Sequence, residues 1–339
     1  MPNLKIPSIL IDLGHVGQNG LPIHASAWFQ QELELLKKWG FRLDCSKDRV
    51  RLEFDLDQIV PYWVQKETPS LAWDGLRVHA FLSVDSTNSE ALLLAREGAP
   101  AGTLVVAEEQ TAGRGRKGRS WISEAGKGLS FSLVLRPAQP LKNWPLLTHV
   151  ASVALVETLK ELHSLQCLPH PLDVDLKWPN DVLISGRKCA GILLETVTEG
   201  DVPAAIVGLG LNIRKGSVPE ELQPSAVCID EMADAIVPRR QVLVLFLRKF
   251  QECYLMFEQG NHSGLLERWK IHSSMWDGAE VWITEGDVRR PAVTCGLSEM
   301  GGLRVRTPDG RIETILAADV SVERTVQTSI KRNIDLAIE

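Results

Sequence analysis

A series of strand-like segments between residues 76 and 212 limits the folds open to this chain more than any other feature. In GLSFSLVLRP (residues 128–137), leucine or phenylalanine occupies every second position from Leu129 to Leu135. This period of two residues is typical of a strand with one buried face. LVVAEE, VDLKW, CAGILLETV and AAIVGLGLNI predict further strands. Because these segments do not alternate cleanly with helical patterns, the sequence predicts an α+β fold.

Helical patterns lie on both sides of these strands. SAWFQQELELLKKW places Phe29, Leu33 and Leu36 on one helical face, with Ser26 as a candidate N-cap. FRLDCSKDRVRLEF then predicts a hairpin, and the combination suggests a winged-helix-like module. Residues 146–162 predict a core helix, and a longer helix is predicted from about Arg239 up to Gly260.

The 339 residues are enough for more than one domain. Residues 57–75 contain two prolines and the charged triplet QKE, which favours a linker. After about residue 275, short strands separated by EMGG and PDG turns predict a small β-barrel. We therefore predict a winged-helix-like module over 1–56, a linker over 57–75, a central ligand-binding domain over 76–272 and a barrel over 273–328.

Composition excludes several classes of protein. No segment approaches the roughly 20 apolar residues of a membrane span, and the N-terminus lacks the features of a secretory signal, so we expect a cytoplasmic protein without membrane contact. Six cysteines without a CxxC pair predict reduced thiols, and no zinc-site spacing is present, so no metal ligands are assigned. A pI near 5.8 argues against a general RNA-binding protein.

The segment GRGRKGRSW, residues 113–121, begins with three glycines and four cations in seven residues, in a chain of net charge −6. Glycine lets the backbone approach a ligand closely, and arginine donates to phosphate or carboxylate oxygens. The spacing matches neither a P-loop nor a dinucleotide-binding GxGxxG motif. The segment predicts a loop that binds an anion, and the alternative is an RGG-like basic surface loop.

Two other short segments carry candidate ligand-binding residues. In KWPNDVL, Lys177 lies at a predicted strand end, where it could neutralise a carboxylate or an α-phosphate, and Asp181 could orient it or help to hold a metal ion. The alternative is a structural turn with Trp178 in the core. In DSTN, Ser86 and the two residues after it suit the polar head of a small ligand, although this segment alone favours a helix N-cap.

Five blocks occur in one order along the chain: DSTN, EEQTAGRGRKGRSW, KWPNDV, KCAGILLE and GLGLNI. Together they resemble the biotin protein ligases (biotin–[acetyl-CoA-carboxylase] ligases) of bacterial type, from about Phe81 to Asn212, with a weaker likeness beyond. The resemblance implies a class II synthetase-like ligase domain with a central mixed sheet. It also implies a reduced winged-helix region before this domain and an SH3-like barrel after it.

The resemblance further implies a two-step reaction. The carboxylate of biotin attacks the α-phosphate of ATP, with Mg²⁺, to give biotinyl-5′-AMP. A lysine of a biotin carboxyl carrier protein then takes the biotinyl group. The cations of the loop and Lys177 would stabilise the negative charge of the first step, and the loop would close over the adenylate.

The resemblance also carries over roles for individual residues. Catalytic roles are expected for Lys177 and Arg116, which match family positions, and for Asp181, because it lies close to Lys177 in the sequence. Trp121 and Asn212 match positions near the nucleotide. Leu193, Gly208 and Leu211 could contact the biotin ring or serve only the core. The remaining positions matched to biotin or its adenylate are Ser86, Thr87, Asn88, Gln110, Gly113, Arg114, Gly115, Arg119 and Gly191.

Some bacterial relatives also repress transcription through the winged helix. In this chain the helix in the recognition position, ASAWFQQELELL, has no Arg or Lys in its first turns, so we predict weak or absent operator binding. A lipoate- or octanoyl-transferring ligase and a biotin-sensing DNA-binding repressor are the alternative functions. Arg304, Arg306 and Arg324 are interpreted as part of a solvated face. A homodimer is a further expectation from the resemblance, and the sequence does not specify the carrier protein.

Overall fold

The computed structural model describes residues 4–46, 48–53, 57–68, 76–122, 124–198 and 202–322. Its helices and strands form an N-terminal part, a central part and a C-terminal part. The N-terminal elements are β1 (Leu4–Lys5), α1 (Ser8–Val16), β2 (Leu21–Pro22), α2 (Ala27–Lys38), β3 (Leu43–Ser46), β4 (Arg49–Leu52) and α3 (Pro61–Glu67).

The central elements are β5 (Arg77–Val84), α4 (Thr87–Arg96), β6 (Thr103–Gln110), β7 (Gly128–Leu135), α5 (Leu147–Ser164), β8 (Val174–Lys177), β9 (Asp181–Ile184), β10 (Arg187–Val197), β11 (Ala204–Asn212), α6 (Ile229–Ala233), α7 (Arg239–Glu258) and α8 (His262–Ile271). The C-terminal elements are β12 (Asp277–Glu285), β13 (Val288–Leu297), β14 (Leu303–Arg306), β15 (Ile312–Ile315) and β16 (Asp319–Val322). These bounds confirm the predicted strands of the central region and both of its long helices.

The N-terminal part packs two helices on a small sheet in the order β2-β4-β3. Ser26 caps α2, because its Oγ accepts a hydrogen bond from the backbone N–H of Phe29 at 3.4 Å. The predicted apolar face of α2 is buried and packs in one cluster with Ile9 and Leu13 of α1. β3 and β4 pair antiparallel, which confirms the predicted hairpin.

The segment predicted as a linker is structured wherever it is described. Pro61 begins α3, and proline is favoured in the first turn of a helix because that position needs no N–H donor. Ile59 and Val64 are buried in the main core. Within residues 57–68 the predicted linker therefore contains a short helix packed on the core, and residues 69–75 lie outside the described part of the chain.

The central sheet has eight strands in the order β1-β5-β6-β7-β11-β10-β9-β8. β5 and β6 pair in parallel, whereas the other neighbours pair antiparallel, so the sheet is mixed as expected. α5 and α7 cover one face, where the ring centroids of Phe131 and Phe246 lie 5.1 Å apart. α4 packs on the other face.

The expectation of one buried face for β7 was wrong, because all eight of its residues are buried. The leucines and Phe131 belong to the core beneath α5 and α7. Ser130 and Ser132 point to the other face, where Ser132 hydrogen-bonds to residues of α4. The alternation in the sequence therefore separates an apolar core from a buried polar site, not a core from solvent.

The C-terminal part is an antiparallel sheet in the order β15-β14-β13-β12-β16. It contacts the central domain at the buried Trp178, whose Nε1–H donates to the carbonyl oxygen of Gly301 at 2.9 Å. Arg304 and Arg306 are exposed on β14, whereas Arg324 lies outside the described residues. Among the described helices, none combines the length and apolar character that crossing a membrane requires.

Candidate active site

A cavity of about 420 Å³ lies over the α4 face of the central sheet. The start of α4, the loop of residues 113–119 and the turn between β8 and β9 enclose it, and β16 reaches its rim. Among the predicted site residues that line it are Ser86, Thr87, Asn88, Gln110, Arg114, Gly115, Arg116, Arg119, Trp121, Lys177, Asp181, Gly191, Leu193 and Gly208. The fold thus brings residues from all five sequence blocks to one place, with Gly113 at the base of the loop and Asn212 next to a second cavity.

The DSTN segment supplies a buried polar network on the floor of the cavity. The backbone N–H and Oγ1 of Thr87 both donate to Gln110 Oε1, at 2.8 and 3.1 Å. Asn88 donates from Nδ2 to Glu195 Oε2 at 2.9 Å and accepts from Ser132 Oγ at 2.6 Å. Each buried polar group therefore holds its neighbour in place.

Ser86 occupies the N-cap position of α4, but its side chain makes no capping hydrogen bond. It is 2% exposed and lines the cavity. The N-cap interpretation is therefore correct for the backbone and wrong for the hydroxyl.

Glycines give the floor its shape. A Cβ on Gly208 would lie 1.9 Å from Asn88 Oδ1, and one on Gly210 would lie 2.3 Å from the ring of Trp121. Such distances are far inside van der Waals contact, so only glycine lets α4 and Trp121 approach β11. Gly191 of β10 lies in the same wall. Sequence reasoning missed Gly210, although its two-residue spacing from Gly208 on one strand face was visible.

The Gly/Arg loop folds as a tight hairpin over the cavity. Gly115 N–H donates to the carbonyl of Arg119 at 2.7 Å, and Trp121 N–H donates to the carbonyl of Gly113 at 2.8 Å. A Cβ on Gly113 would lie 2.2 Å from the carbonyl oxygen of Trp121, so this approach requires glycine. The loop is therefore built onto the site and is not an unattached basic surface loop.

Three of the four loop cations form ion pairs. Arg114 Nη2 lies 2.6 Å from Glu195 Oε1, and Arg119 Nη2 lies 2.6 Å from Asp319 Oδ2 of β16. Lys117 Nζ lies 3.5 Å from the same oxygen of Asp319. These pairs attach the loop to β10 on one side and to the C-terminal sheet on the other.

Arg116 has a different environment. Its Nη1–H donates to the neutral amide oxygen of Asn180 at 3.1 Å. Partial burial lowers the pKa of this guanidinium from its ordinary value, although arginine stays charged in proteins. Arg116 therefore lines the cavity as a partly desolvated cation, suited to an anionic ligand.

Lys177 ends β8, as predicted, and its backbone pairs with Asp181 across the hairpin. Within the described part of the chain, Lys177 Nζ forms no hydrogen bond or ion pair, although the residue lines the cavity. Trp178 fills the core while Asn180 donates from Nδ2 to the carbonyl of Ile192 at 2.8 Å. The structural interpretation of this turn is therefore confirmed, and the role of Lys177 towards a ligand stays a prediction that its place in the cavity wall allows.

Asp181 is not positioned as an orienting partner of Lys177. Its Oδ1 lies 2.7 Å from Nζ of Lys188, a residue that sequence reasoning missed. Lys188 Nζ also lies 5.6 Å from the centroid of the Trp121 ring. Among the residues that the structure describes, no group of three or more His, Cys, Asp or Glu side chains could hold a metal ion.

A second cavity of about 540 Å³ adjoins the first. Trp121, Lys177, Asp181 and Lys188 line both cavities, so this group forms the boundary between them. Asn212 and the segment 217–226 line only the second cavity. The arrangement can hold two joined ligands, with lysines at their junction.

Comparisons with known proteins agree with this geometry. Residues 80–212 match the model of the biotin/lipoate A/B protein ligase family. The bifunctional ligase/repressor BirA of Bacillus subtilis is 35% identical over 70% of this chain and 72% of its own length. The biotin–[acetyl-CoA-carboxylase] ligase of Paracoccus denitrificans is 34% identical over 70% of this chain and 96% of its own length.

A solved structure is similar as well. The biotin protein ligase from Aquifex aeolicus in complex with biotin and ATP superposes with a TM-score of 0.61 at 31% identity, over 74% of this chain and 99% of that one. The family model and these relatives define a ligase domain of the biotin/lipoate class. Within that class, this chain belongs to the biotin protein ligase family.

Proposed function

We propose that this protein activates biotin with ATP and transfers the biotinyl group to a lysine of a biotin carboxyl carrier protein. The observation that carries the proposal is the pair of adjoining cavities, one above a rigid polar floor and one beside Asn212, with Lys177 where they meet. A carboxylate and a triphosphate repel each other in solution. A site that binds both with cations at the junction lowers this barrier by positioning and by electrostatic stabilisation.

In the first step a carboxylate oxygen of biotin attacks the α-phosphorus of ATP, and the bond to the bridging oxygen breaks, releasing pyrophosphate. We assign the biotin head to Ser86, Thr87, Asn88 and Gln110, whose network fixes donors and acceptors on the floor. Gly191 and Gly208 leave room for the bicyclic ring, beside Leu193. Leu211 is buried in the main core, which supports a structural role for it.

We assign Lys177 and Arg116 to the reacting anions and Trp121 and Asn212 to the nucleotide. Arg114, Gly115 and Arg119, on a loop that Gly113 lets close, would cover the adenylate and exclude water. Asp181 would act through Lys188 rather than on Lys177. Mg²⁺ would enter with the phosphates of ATP, which share its coordination with water molecules.

In the second step the ε-amine of the carrier lysine attacks the acyl carbon, the bond to the phosphate oxygen breaks, and AMP leaves while the new amide loses a proton. A mixed anhydride is a far better electrophile than a carboxylate, which is why the first step must precede transfer.

One assay tests this function. The purified protein is incubated with Mg²⁺, ATP and either biotin or lipoate, and acyl-AMP is identified by mass spectrometry. A carrier domain is then added and blotted with streptavidin. Biotinyl-AMP followed by a labelled carrier is expected. Adenylation of lipoate alone would favour the lipoate-type ligase, and biotinyl-AMP without transfer would favour a biotin-sensing repressor.

The N-terminal part supports the proposal that operator binding is weak or absent. We assign residues 1–56 to a reduced winged-helix-like module on the basis of α1, α2 and the β3–β4 hairpin. The arginines of the hairpin are used internally: Arg49 donates to the carbonyls of Asn19 and Gly20, and Arg51 donates to that of Gln18. Retardation of a biotin-operon promoter fragment at micromolar protein would contradict this proposal.

The other finer assignments are proposals too. We assign residues 76–272 to the ligase domain and 273–328 to an SH3-like barrel, supported by the central sheet and the five-stranded antiparallel sheet. A homodimer through sheet edges would use β1 or β8, the two ends of the central sheet, and light scattering tests it. A cytoplasmic location remains a prediction, compatible with six free cysteines.

A further inference from the structure

The first turn of α7 carries two consecutive arginines that are nearly inaccessible. Arg239 is 5% exposed and Arg240 is fully buried. The positive end of the helix dipole disfavours cations at this position, and a buried charge is costly without partners. Acidic groups from other elements compensate, and one of them, Asp57, comes from the segment that joins the N-terminal part to the central domain.

Asp57 connects two cations of the central domain. Its Oδ1 accepts from the backbone N–H of Arg239 and its Oδ2 accepts from Arg239 Nε, both at 3.1 Å. Its Oδ1 also pairs with Nη2 of Arg214. Arg239 continues the network by donating from Nη1 to Glu108 Oε2 at 2.6 Å. Burial lowers the pKa of its guanidinium, but the two carboxylates together outweigh burial and raise it above its ordinary value.

Arg214 lies two residues beyond Asn212 and closes the base of a loop. Its backbone N–H donates to the carbonyl of Lys127, while Nη1 donates to Asp230 Oδ2 at 2.9 Å and to the carbonyl of Val237 at 2.8 Å. The intervening residues include the segment 217–226, which lines the second cavity. The side chain of Arg214 thus joins the two ends of the loop that shapes this cavity.

From these contacts we propose that Asp57 is a positioning residue for the nucleotide. It holds Arg214 in place and thereby fixes the loop beside Asn212, although Asp57 lines neither cavity. The segment before α3 would then contribute to ATP binding through the ion-pair network. This inference rests on the proposed assignment of the second cavity to the nucleotide.

The test is Asp57→Asn, which keeps the size of the side chain and removes its charge. Because the carboxylate loses its charge, its contacts with Arg214 and Arg239 weaken, and we expect the KM for ATP in biotinyl-AMP formation to rise about tenfold, equivalent to about 1.4 kcal/mol. The KM for biotin and the rate of transfer from preformed biotinyl-AMP should stay within about twofold. Asp57→Glu should restore part of the ATP affinity.

Asp44→Asn is the matched control. Asp44, like Asp57, pairs with an arginine, but its partner Arg51 lies 3.5 Å away within the β3–β4 hairpin of the N-terminal part. Asp44→Asn should leave the KM for ATP, the KM for biotin and the rate of transfer from biotinyl-AMP unchanged. In the double variant Asp57→Asn with Arg214→Gln, the rise in the KM for ATP should not exceed that of Arg214→Gln alone, because Asp57 and Arg214 belong to one network.

The opposite result would be a lower melting temperature of Asp57→Asn with an unchanged KM for ATP, which would make Asp57 a purely structural residue. Equal losses for ATP and biotin would overturn the inference as well. Calorimetry of ATP binding separates it from the proposed function. If the wild-type protein forms no biotinyl-AMP, the proposed function falls, whereas a tenfold weaker binding of ATP by Asp57→Asn would still support the role of Asp57.

Discussion

The floor of the first cavity and the loop above it both present polar side chains to the cavity, but those of the floor are buried and uncharged whereas those of the loop are exposed and charged. On the floor, Thr87 and Asn88 are at most 4% exposed and hydrogen-bond to other side chains. In the loop, Arg114 and Arg119 are 44% and 67% exposed and form ion pairs that salt can screen. The floor is therefore preorganised for one ligand shape, whereas the loop can exchange its partners for the anions of an adenylate.

The largest effect is expected at the boundary of the two cavities. Lys177→Ala should reduce the rate of biotinyl-AMP formation about a hundredfold or more, because removing one preorganised donor to developing charge costs this much in other enzymes. Release of pyrophosphate with saturating biotin and ATP measures the loss. The melting temperature should hardly change, since Lys177 is only half-buried at a strand end. If Lys177→Ala kept a near wild-type rate of adenylation, the reacting centre would not lie at Lys177.

The second-largest effect is expected on the floor of the first cavity. Gly208→Ala places a methyl group against Asn88, and overpacking of this kind costs about 1–3 kcal/mol. We expect the KM for biotin to rise about tenfold to a hundredfold, while the KM for ATP changes much less because Gly208 does not line the second cavity. Titration of each substrate in turn checks this. Equal increases for both substrates would indicate that the sheet, and not the biotin subsite, has been disturbed.

A substitution in the loop should let biotinyl-AMP escape rather than weaken the binding of the substrates. Arg116→Gly removes the partly buried cation that bridges the loop to Asn180. Biotinyl-AMP should then escape, and unrelated lysines of a bystander protein should be labelled about tenfold more strongly, as expected when a hydrogen bond to a charged group is lost. Streptavidin blots of a carrier and a bystander in one reaction measure the ratio. Unchanged selectivity for the carrier would contradict closure of the loop over the adenylate.

The same contrast explains what the sequence could predict. Local periodicity predicts the order of the central strands and the two long helices, and the five short blocks predict most of the residues that line the first cavity. The hydrogen-bond and ion-pair partners of those residues cannot be predicted in this way, because they depend on how segments distant in sequence meet in the fold. Ser132 contacts Asn88 across 44 positions, and Arg114 contacts Glu195 across 81. Asp181 looked like a partner for Lys177 because they are close in sequence, yet its carboxylate forms an ion pair with Lys188 of the neighbouring strand β10.

Asp57 shows the same limit in another form. Prolines and charges in residues 57–75 indicated a linker, but one carboxylate there compensates two arginines that follow it by more than 150 positions. No local pattern marks such a pairing. The two consecutive arginines at the start of α7 were the available signal, since cations there are disfavoured unless acidic groups meet them.

The smallest effect is expected where the loop meets the C-terminal sheet. Asp319→Asn breaks the pairs with Lys117 and Arg119, and exposed ion pairs contribute about 1 kcal/mol or less. Retention of biotinyl-AMP should fall by no more than about fivefold at low salt. The difference from wild type should vanish near 0.5 M salt, where the screening length is only a few ångströms. The defect of Gly208→Ala should persist under the same conditions, because steric overlap is not screened. A salt-independent defect in Asp319→Asn would mean that this carboxylate belongs with the rigid floor and not with the exchangeable contacts of the loop.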